Sequence, residues 1–406
     1  MFRNYIKIAW RNLIKRKVFT IINILGLAIG FGSAILIYLF LNFHLSYDKF
    51  HENSERIVRV NTELHRDEIA YRSSVPPGFA KVFREDYDYA EKVAKIVDRS
   101  GLILEVADGS TMNKFKQDVA YVEEDFFKIF NFPLLNNSNN ISIASPNTAV
   151  ITENAAMVLF GSTSIVGQTF VLENDKSIEV TGVLKNLPAA SFLDTEVFIS
   201  FENLEDNFEF AASETWGGIT SNLQTFALIR PNQNISEIEE VLTELPKKHR
   251  PNSTNVHVYK LQPMNDVHFN PDYGGLNPVF LVVFGIIGLF LIVIACINFI
   301  NISTAQAFYR SKEIGIRKVL GASVTSILKI SVKEYLLFIA LATVIAWPIA
   351  YFIAENWLSN FAYRIEINHF MILAISLSVL VITFFVVGLV SLKAATANPV
   401  KSLRTE

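Results

Sequence analysis

Four runs of this chain contain no Asp, Glu, Lys or Arg: residues 18–43, 273–309, 335–354 and 370–392. A bilayer core of about 30 Å takes about 20 helical residues to cross, and each run reaches that length. The pattern predicts transmembrane helices over 18–43, 276–309, 335–354 and 370–392. The first run is too long and too rich in glycine for a removable signal peptide. As buried core helices, the four would need a far larger soluble protein to cover them. Between the first and second runs the periodicity changes. Alternating or β-branched stretches at 57–64, 117–122, 148–152, 177–184, 195–200, 224–229 and 256–261 predict strands, and helical spacing at 78–87, 123–130, 153–160 and 236–248 predicts short helices. Glu123, Glu124 and Asp125 are expected in the first turn of their helix, where the macrodipole favours acids. The fold class is thus an α-helical membrane protein, four transmembrane helices in a 1+3 arrangement, with a large α+β extracytoplasmic domain over 44–272 inserted between helices 1 and 2.

Charge gives the orientation. Residues 1–17 hold six basic residues and no acid, and residues 310–334 hold six against Glu313 and Glu334. The tail 393–406 adds Lys393, Lys401 and Arg404 against Glu406. Short loops rich in Lys and Arg stay in the cytoplasm. Both termini and 310–334 therefore face the cytoplasm, and the short loop 355–369 faces outward with 44–272. That outer block has 20 basic and 34 acidic residues, a net charge of −14, within a chain whose overall charge is −3.

Composition narrows the classes further. Apolar residues make up 51% of the 406 and charged residues only 18%, which excludes a disordered chain. No basic excess points to nucleic acid, and the single cysteine, Cys296, excludes an intrachain disulfide. His51, His65, His249, His257 and His268 lack metal-ligand spacing, and no His-Glu-x-x-His helix, Gly-x-Ser-x-Gly elbow or phosphate-cradling Gly-Lys-Ser/Thr loop occurs. No catalytic or metal-binding residue is expected on this chain, and the outer domain reads as a binding or force-transmitting module. The cytoplasmic pieces are too small for an ATPase or kinase domain. No ionisable residue lies at the centre of a span, which argues against proton- or ion-coupled transport.

Two features remain inside and below the membrane. Gly26 and Gly30, with Ala34 one turn on, let another helix approach closely, within the protomer or across a dimer. Residues 1–17 place Phe2, Ile6, Ala9, Trp10 and Leu13 on one helical face opposite Arg3, Lys7, Arg11 and Lys15, as a cytoplasmic amphipathic helix at the lipid headgroups would. Residues 310–326 form a basic, apolar-anchored elbow, expected to break near Gly315 or Gly321 and suited to dock in a groove of a cytoplasmic partner.

The sequence Lys312-Glu313-Ile314-Gly315-Ile316-Arg317-Lys318-Val319-Leu320-Gly321-Ala322 resembles the coupling segment of the MacB/FtsX-like ABC-transporter permeases. So do Arg11-Asn12-Leu13, Ile22-Asn23-Ile24-Leu25-Gly26-Leu27, Tyr47-Asp48-Lys49-Phe50-His51 and the closing Asn398-Pro399-Val400-Lys401-Ser402-Leu403-Arg404. Val180-Thr181-Gly182-Val183 and Glu124-Asp125-Phe126-Phe127 are similar to that family's periplasmic core domain. Many permeases with this ending carry two such modules in tandem, whereas this chain has one.

The resemblance implies an inner-membrane permease subunit without a cofactor of its own. ATP and Mg would sit on a separate ABC ATPase, which contacts Glu313–Ala322. A second permease module, as a homo- or heterodimer, and a periplasmic adaptor or other envelope partner would complete the assembly. Spans 1 and 2, continuing outward through 44–56 and 262–276 as a stalk, would relay ATP-driven motion to the outer domain. The work done would be export or extraction of a peptide, antibiotic or lipoprotein, or force transmission to a cell-wall hydrolase.

Overall fold

The structure, a computed structural model, describes residues 17–109, 111–135, 143–204, 208–319, 340–356 and a few helical positions between 370 and 385. The chain divides into two units, one of 1–43 with 279–406 and the other of 44–278, close to the expected insertion. The amphipathic helix expected over 1–17 lies outside the described residues, apart from Lys17, as does the tail 393–406.

In the first unit, the helices Lys17–Leu45 and Val279–Val319 are long and apolar enough to cross a membrane. They run antiparallel. Gly26 lies against Asn298, Gly30 against Ala295 and Gly288 against Ile37, so ascending positions on one helix meet descending positions on the other. The small residues have a steric reason. A Cβ on Gly30 would lie 2.5 Å from the Ala295 Cβ, and one on Gly26 would lie 2.6 Å from the Asn298 Nδ2. The Gly26–Gly30 pair therefore faces the chain's own second long helix. A shorter helix, Ala340–Asn356, covers most of the third predicted span. Its Ala342, Ala346, Ala350 and Ala354 are all buried, a stripe at four-residue spacing, and Ala350 packs with Ile35 of the first helix. Gly30→Leu is expected to destabilise the helix pair by about 1–3 kcal/mol, the usual cost of overpacking, read as a lower melting temperature in detergent. An unchanged melting temperature would mean that the two helices do not meet there.

The second unit is built on one ten-stranded sheet. Its strands are β1 (Ile57–His65), β2 (Ile69–Arg72), β3 (Ala90–Asp108), β4 (Thr111–Val122), β5 (Thr148–Thr152), β6 (Thr169–Leu172), β7 (Lys176–Leu184), β8 (Val197–Ser200), β9 (Leu223–Ile229) and β10 (Val256–Pro263), in the order β10-β1-β9-β3-β4-β8-β5-β7-β6 with β2 beside β1. The seven strands expected from periodicity are present. The structure adds β2, β6 and the 19-residue β3, whose pattern is masked by Asp98, Arg99 and Gly101. A bulge falls between Arg99 and Leu102, where Gly101 takes a positive φ of 74° and its amide donates to the Asp118 Oδ1 at 2.7 Å.

Beyond the bulge, Leu104 and Glu105 pair with Leu172 and Val171, which closes β3, β4, β8, β5, β7 and β6 into a ring. Alternate side chains fill it, among them Leu104, Val119, Tyr121, Ile151, Phe170, Ile178, Val197 and Ile199. A second core lies before the bulge. There Val58 and Val60 of β1 and Tyr259 and Leu261 of β10 pack with Phe79 and Phe83 of helix Phe79–Glu85 and Ile238 and Leu242 of helix Ile235–Leu242. Among the described residues these two cores lie along one sheet, and β3 is common to both.

Glu123, Glu124 and Asp125 are not in a first helical turn, because that helix spans only Phe126–Phe130. Glu123 instead accepts from the Lys95 amide and from Arg84, fastening the helix start to β3 and to helix Phe79–Glu85. The expected stalk also differs. Residues 46–56 are turns, and 264–273 hold only the short helices Met264–Val267 and Pro271–Tyr273, all within the outer unit.

Candidate functional site

Strand β1 reads Ile-Val-Arg-Val-Asn-Thr-Glu-Leu-His. Its side chains alternate, so Val58, Val60 and Leu64 face a core while Arg59, Asn61 and Glu63 share the opposite face. That polar face is buried too: Arg59 is 6% exposed and Asn61 0%. A guanidinium taken out of water needs partners, and the register supplies them by setting Arg59 opposite Gln262. Arg59 donates to the Gln262 Oε1 through Nη2 at 2.8 Å and Nε at 3.2 Å, and to the Gln224 Oε1 through Nη1 at 3.3 Å. Asn61 donates to the same Gln262 oxygen at 2.7 Å. Gln262 Nε2 then donates to the Asp266 Oδ2 at 3.0 Å, and Asn270 Nδ2 to that same oxygen at 2.9 Å. The chain leaving the outer domain is therefore tied to its central strands.

The chain entering the domain is held beside it. In Tyr47-Asp48-Lys49-Phe50-His51, Asp48 adopts a φ of 55°, its amide donates to the Ala190 carbonyl, and its carboxylate accepts from the Phe192 amide at 2.9 Å. His51 Nδ1 lies 2.7 Å from the Phe130 carbonyl, which can only accept, so that nitrogen carries the proton. Around it Phe130, Phe132, Phe192, Phe198 and Phe226 form an aromatic cluster on the sheet. The Tyr47 ring stacks on His268 at 3.5 Å between centroids, so the first and last segments of the domain touch.

Burial dominates the electrostatics. It pushes the Asp48 carboxyl up to about 7, against partial lowering by the Phe192 amide, Ser191 and the Arg59 charge. Asp98 rises to about 7 through burial and then the nearby Asp194 carboxylate. His51 and His268 are lowered by burial to about 4. The folded state therefore binds the Asp48 proton more tightly than the unfolded chain between about pH 4 and pH 7, so this group's contribution falls as pH rises through that window. The histidines act with the opposite sign: stability from their neutral burial is lost as pH falls from about 6.5 towards 4. Asp48→Asn is expected to gain on the original protein as pH rises from 4.5 to 7.5. Melting temperatures of the full chain in detergent at those two pH values check this, and parallel pH profiles would count against it.

Sequence reasoning singled out Tyr47–His51 as a segment but missed Arg59, Asn61 and Gln262. The available signal was three polar side chains at i, i+2 and i+4, Arg59, Asn61 and Glu63, on one face of a strand whose other face carries Val58, Val60 and Leu64. Of the expected ATPase-contact residues, Lys312, Glu313, Ile314, Gly315, Ile316, Arg317, Lys318 and Val319 lie on the backbone of helix Val279–Val319, which passes Gly315 without the expected break. Leu320, Gly321 and Ala322 lie outside the described residues.

Comparison with known proteins matches residues 20–245 to the MacB-like periplasmic core domain and residues 285–399 to the FtsX-like permease C-terminal domain. No curated protein matches the chain. Among solved structures, a domain described as that of a permease protein from Porphyromonas gingivalis is 18% identical with a TM-score of 0.45, covering 52% of this chain and 91% of its own. The periplasmic region of MacB from Actinobacillus actinomycetemcomitans is 16% identical with a TM-score of 0.38, covering 53% and 91%. The extracellular domain of the noncanonic ABC-type transporter YknZ from Gram-positive bacteria is 14% identical with a TM-score of 0.36, covering 51% and 99%. With one family profile matching residues 20–245 and the other residues 285–399, the chain belongs to the MacB/FtsX-like ABC transporter permeases.

Proposed function

We propose that this chain is the transmembrane subunit of an ABC exporter or extractor whose ATPase is a separate polypeptide. In this reading the chain spans the inner membrane four times with both termini in the cytoplasm, and ATP and Mg stay on the partner. The ATPase grips the segment Lys312–Ala322, and a second permease module completes the pair. Motion reaches the outer domain through the two long helices that precede and follow it. The observation that carries this reading is the buried network at Arg59. It ties the residues that leave the domain, at Gln262, Asp266 and Asn270, to strand β1, and the residues that enter it meet the same exit segment where Tyr47 stacks on His268, so a displacement of either connection is felt by the strands. Such a junction suits a lever that moves as a body.

The test is purification of the full chain from its native membrane in mild detergent, followed by mass spectrometry and an ATPase assay. An ABC ATPase is expected to co-purify, with turnover restored on reconstitution, and its consistent absence would overturn the permease reading. A cargo-release assay on the same proteoliposomes then separates extraction from force transmission to an envelope hydrolase. ATP-dependent release supports the first; ATP-dependent activation of a co-purifying hydrolase without release supports the second.

A further inference from the structure

The outer domain carries 14 more acidic than basic residues, yet one of its cavities is basic. It has a volume of about 590 Å³ and sits where β1 ends and β10 begins, beside the β1–β2 hairpin, with the loop 217–221 forming one wall. Arg66, Arg72 and Arg250 line it, together with His257, Ser74 and Asn255. None of the three arginines has a carboxylate within ion-pair distance among the described residues, whereas Arg56, Arg84 and Arg230 elsewhere in the domain all do.

The site is built rather than incidental. Arg250 is held from behind: it donates to the His257 ring and, through Nη2, to the Ser253 hydroxyl at 2.9 Å. His257 is 2% exposed, and burial followed by the charges of Arg250 and Arg66 keeps it neutral, with its pKa down to about 4. It therefore supports the arginine without adding a competing charge. Ser74 is fully buried at 0% exposure, and its hydroxyl has no hydrogen-bond partner among the described residues. A buried hydroxyl without a partner costs stability, and an incoming oxyanion would satisfy it.

We propose that this cavity is a binding site for a phosphorylated ligand. Three guanidiniums suit a phosphate, because each has five N–H donors and keeps several after Arg250 has bound His257 and Ser253 and Arg72 the Tyr71 carbonyl, and a dianion balances a triple positive charge better than one carboxylate does. Inorganic phosphate alone would leave most of the volume empty, so the ligand is a phosphate ester with a small attached group. A soluble ester and an exposed lipid headgroup share this chemistry. The site lies wholly within the outer domain, so binding can be measured without the ATPase and its failure is separable from failure of the permease reading.

The test uses the full chain in detergent or nanodiscs. Titration calorimetry with glycerol 1-phosphate, with succinate as a carboxylate control, forms the soluble arm. Flotation with phosphatidylcholine vesicles with and without phosphatidic acid forms the lipid arm. Saturable binding in either arm is expected, weakened at least tenfold in Arg66→Gln/Arg72→Gln. Neither of these side chains is paired with a carboxylate, so the variant is expected to melt as the original does. Binding only in the soluble arm assigns a free ester, and binding only to phosphatidic acid vesicles assigns a headgroup. Ser74→Ala reads the buried hydroxyl and is expected to weaken binding with no loss of melting temperature. No binding in both arms, equal binding of succinate, or affinity unchanged in the double variant would overturn the proposal.

Discussion

Arg59→Met is expected to lower the stability of the outer domain by about 3 kcal/mol, from the loss of hydrogen bonds that each contribute about 1.5–3 kcal/mol when the donor is charged. Arg59 makes three such contacts, to Gln262 and Gln224. Without it the Gln224 Oε1 loses this donor, and Asp48 loses the Arg59 charge that helps hold its carboxyl down. For a domain of this size, each kcal/mol moves the melting temperature by about 2–4 °C, so a fall of about 6–12 °C is the measurable result. Arg59→Lys keeps the charge but not the planar fork and should fall between the two. Protection of the β1 and β10 amides from hydrogen exchange should drop in parallel. An unchanged melting temperature with unchanged exchange would remove the network from any account of how the domain's two connections are held together.

Charge reversal at Arg317 and Lys318 is expected to have the larger functional effect. Both lie in the final turns of helix Val279–Val319, past the apolar window Val279–Asn298. If this helix end seats in a groove of the ATPase, two glutamates would replace two attractive charges with repulsive ones. A central contact of that kind is worth about 2 kcal/mol or more, which is about a 30-fold loss of affinity. Arg317→Glu/Lys318→Glu should therefore insert into the membrane normally yet fail to retain the ATPase on purification, and ATP turnover in proteoliposomes should fall with it. Gly321→Glu should give the same result. Full retention of the ATPase by all of these variants would move the contact elsewhere.

How far the sequence carried the fold depends on what each segment had to bury. Segments that bury one face against a core, such as 177–184, show their period directly. β3 does not, because it serves two cores in turn and turns over at a bulge, so Asp98, Arg99 and Gly101 fall where an alternating pattern should continue. The acids at 123–125 looked like a helix start, yet Glu123 is recruited by Arg84 and the Lys95 amide, 39 and 28 residues away, pairings that no local rule contains. The glycines of the first long helix were legible as a close-packing face. Their partner was not, because a small residue states how near something comes and not what it is; Asn298 and Ala295 answer that only in three dimensions. The Arg59 network and the arginine-lined cavity were hidden for a related reason. Arg66 and Arg72 come from the β1–β2 hairpin and Arg250 from the segment before β10, and they converge only because the end of β1 lies beside the start of β10.

Strand β3 has an implication for how such a domain can change over generations. Because Val93 belongs to one core and Val97, Leu104 and Val106 to the other, neither half can be excised, exchanged with a homologue's or expressed alone without leaving the remaining half an open edge. Novelty is easiest to add at the periphery, in the connections around the ring and the loop beside the arginines, while the shared strand fixes the spacing between the two ends. A recombination junction near Gly101 should therefore give insoluble chimaeras, and junctions in the turns before β1 and after β10 should give soluble ones.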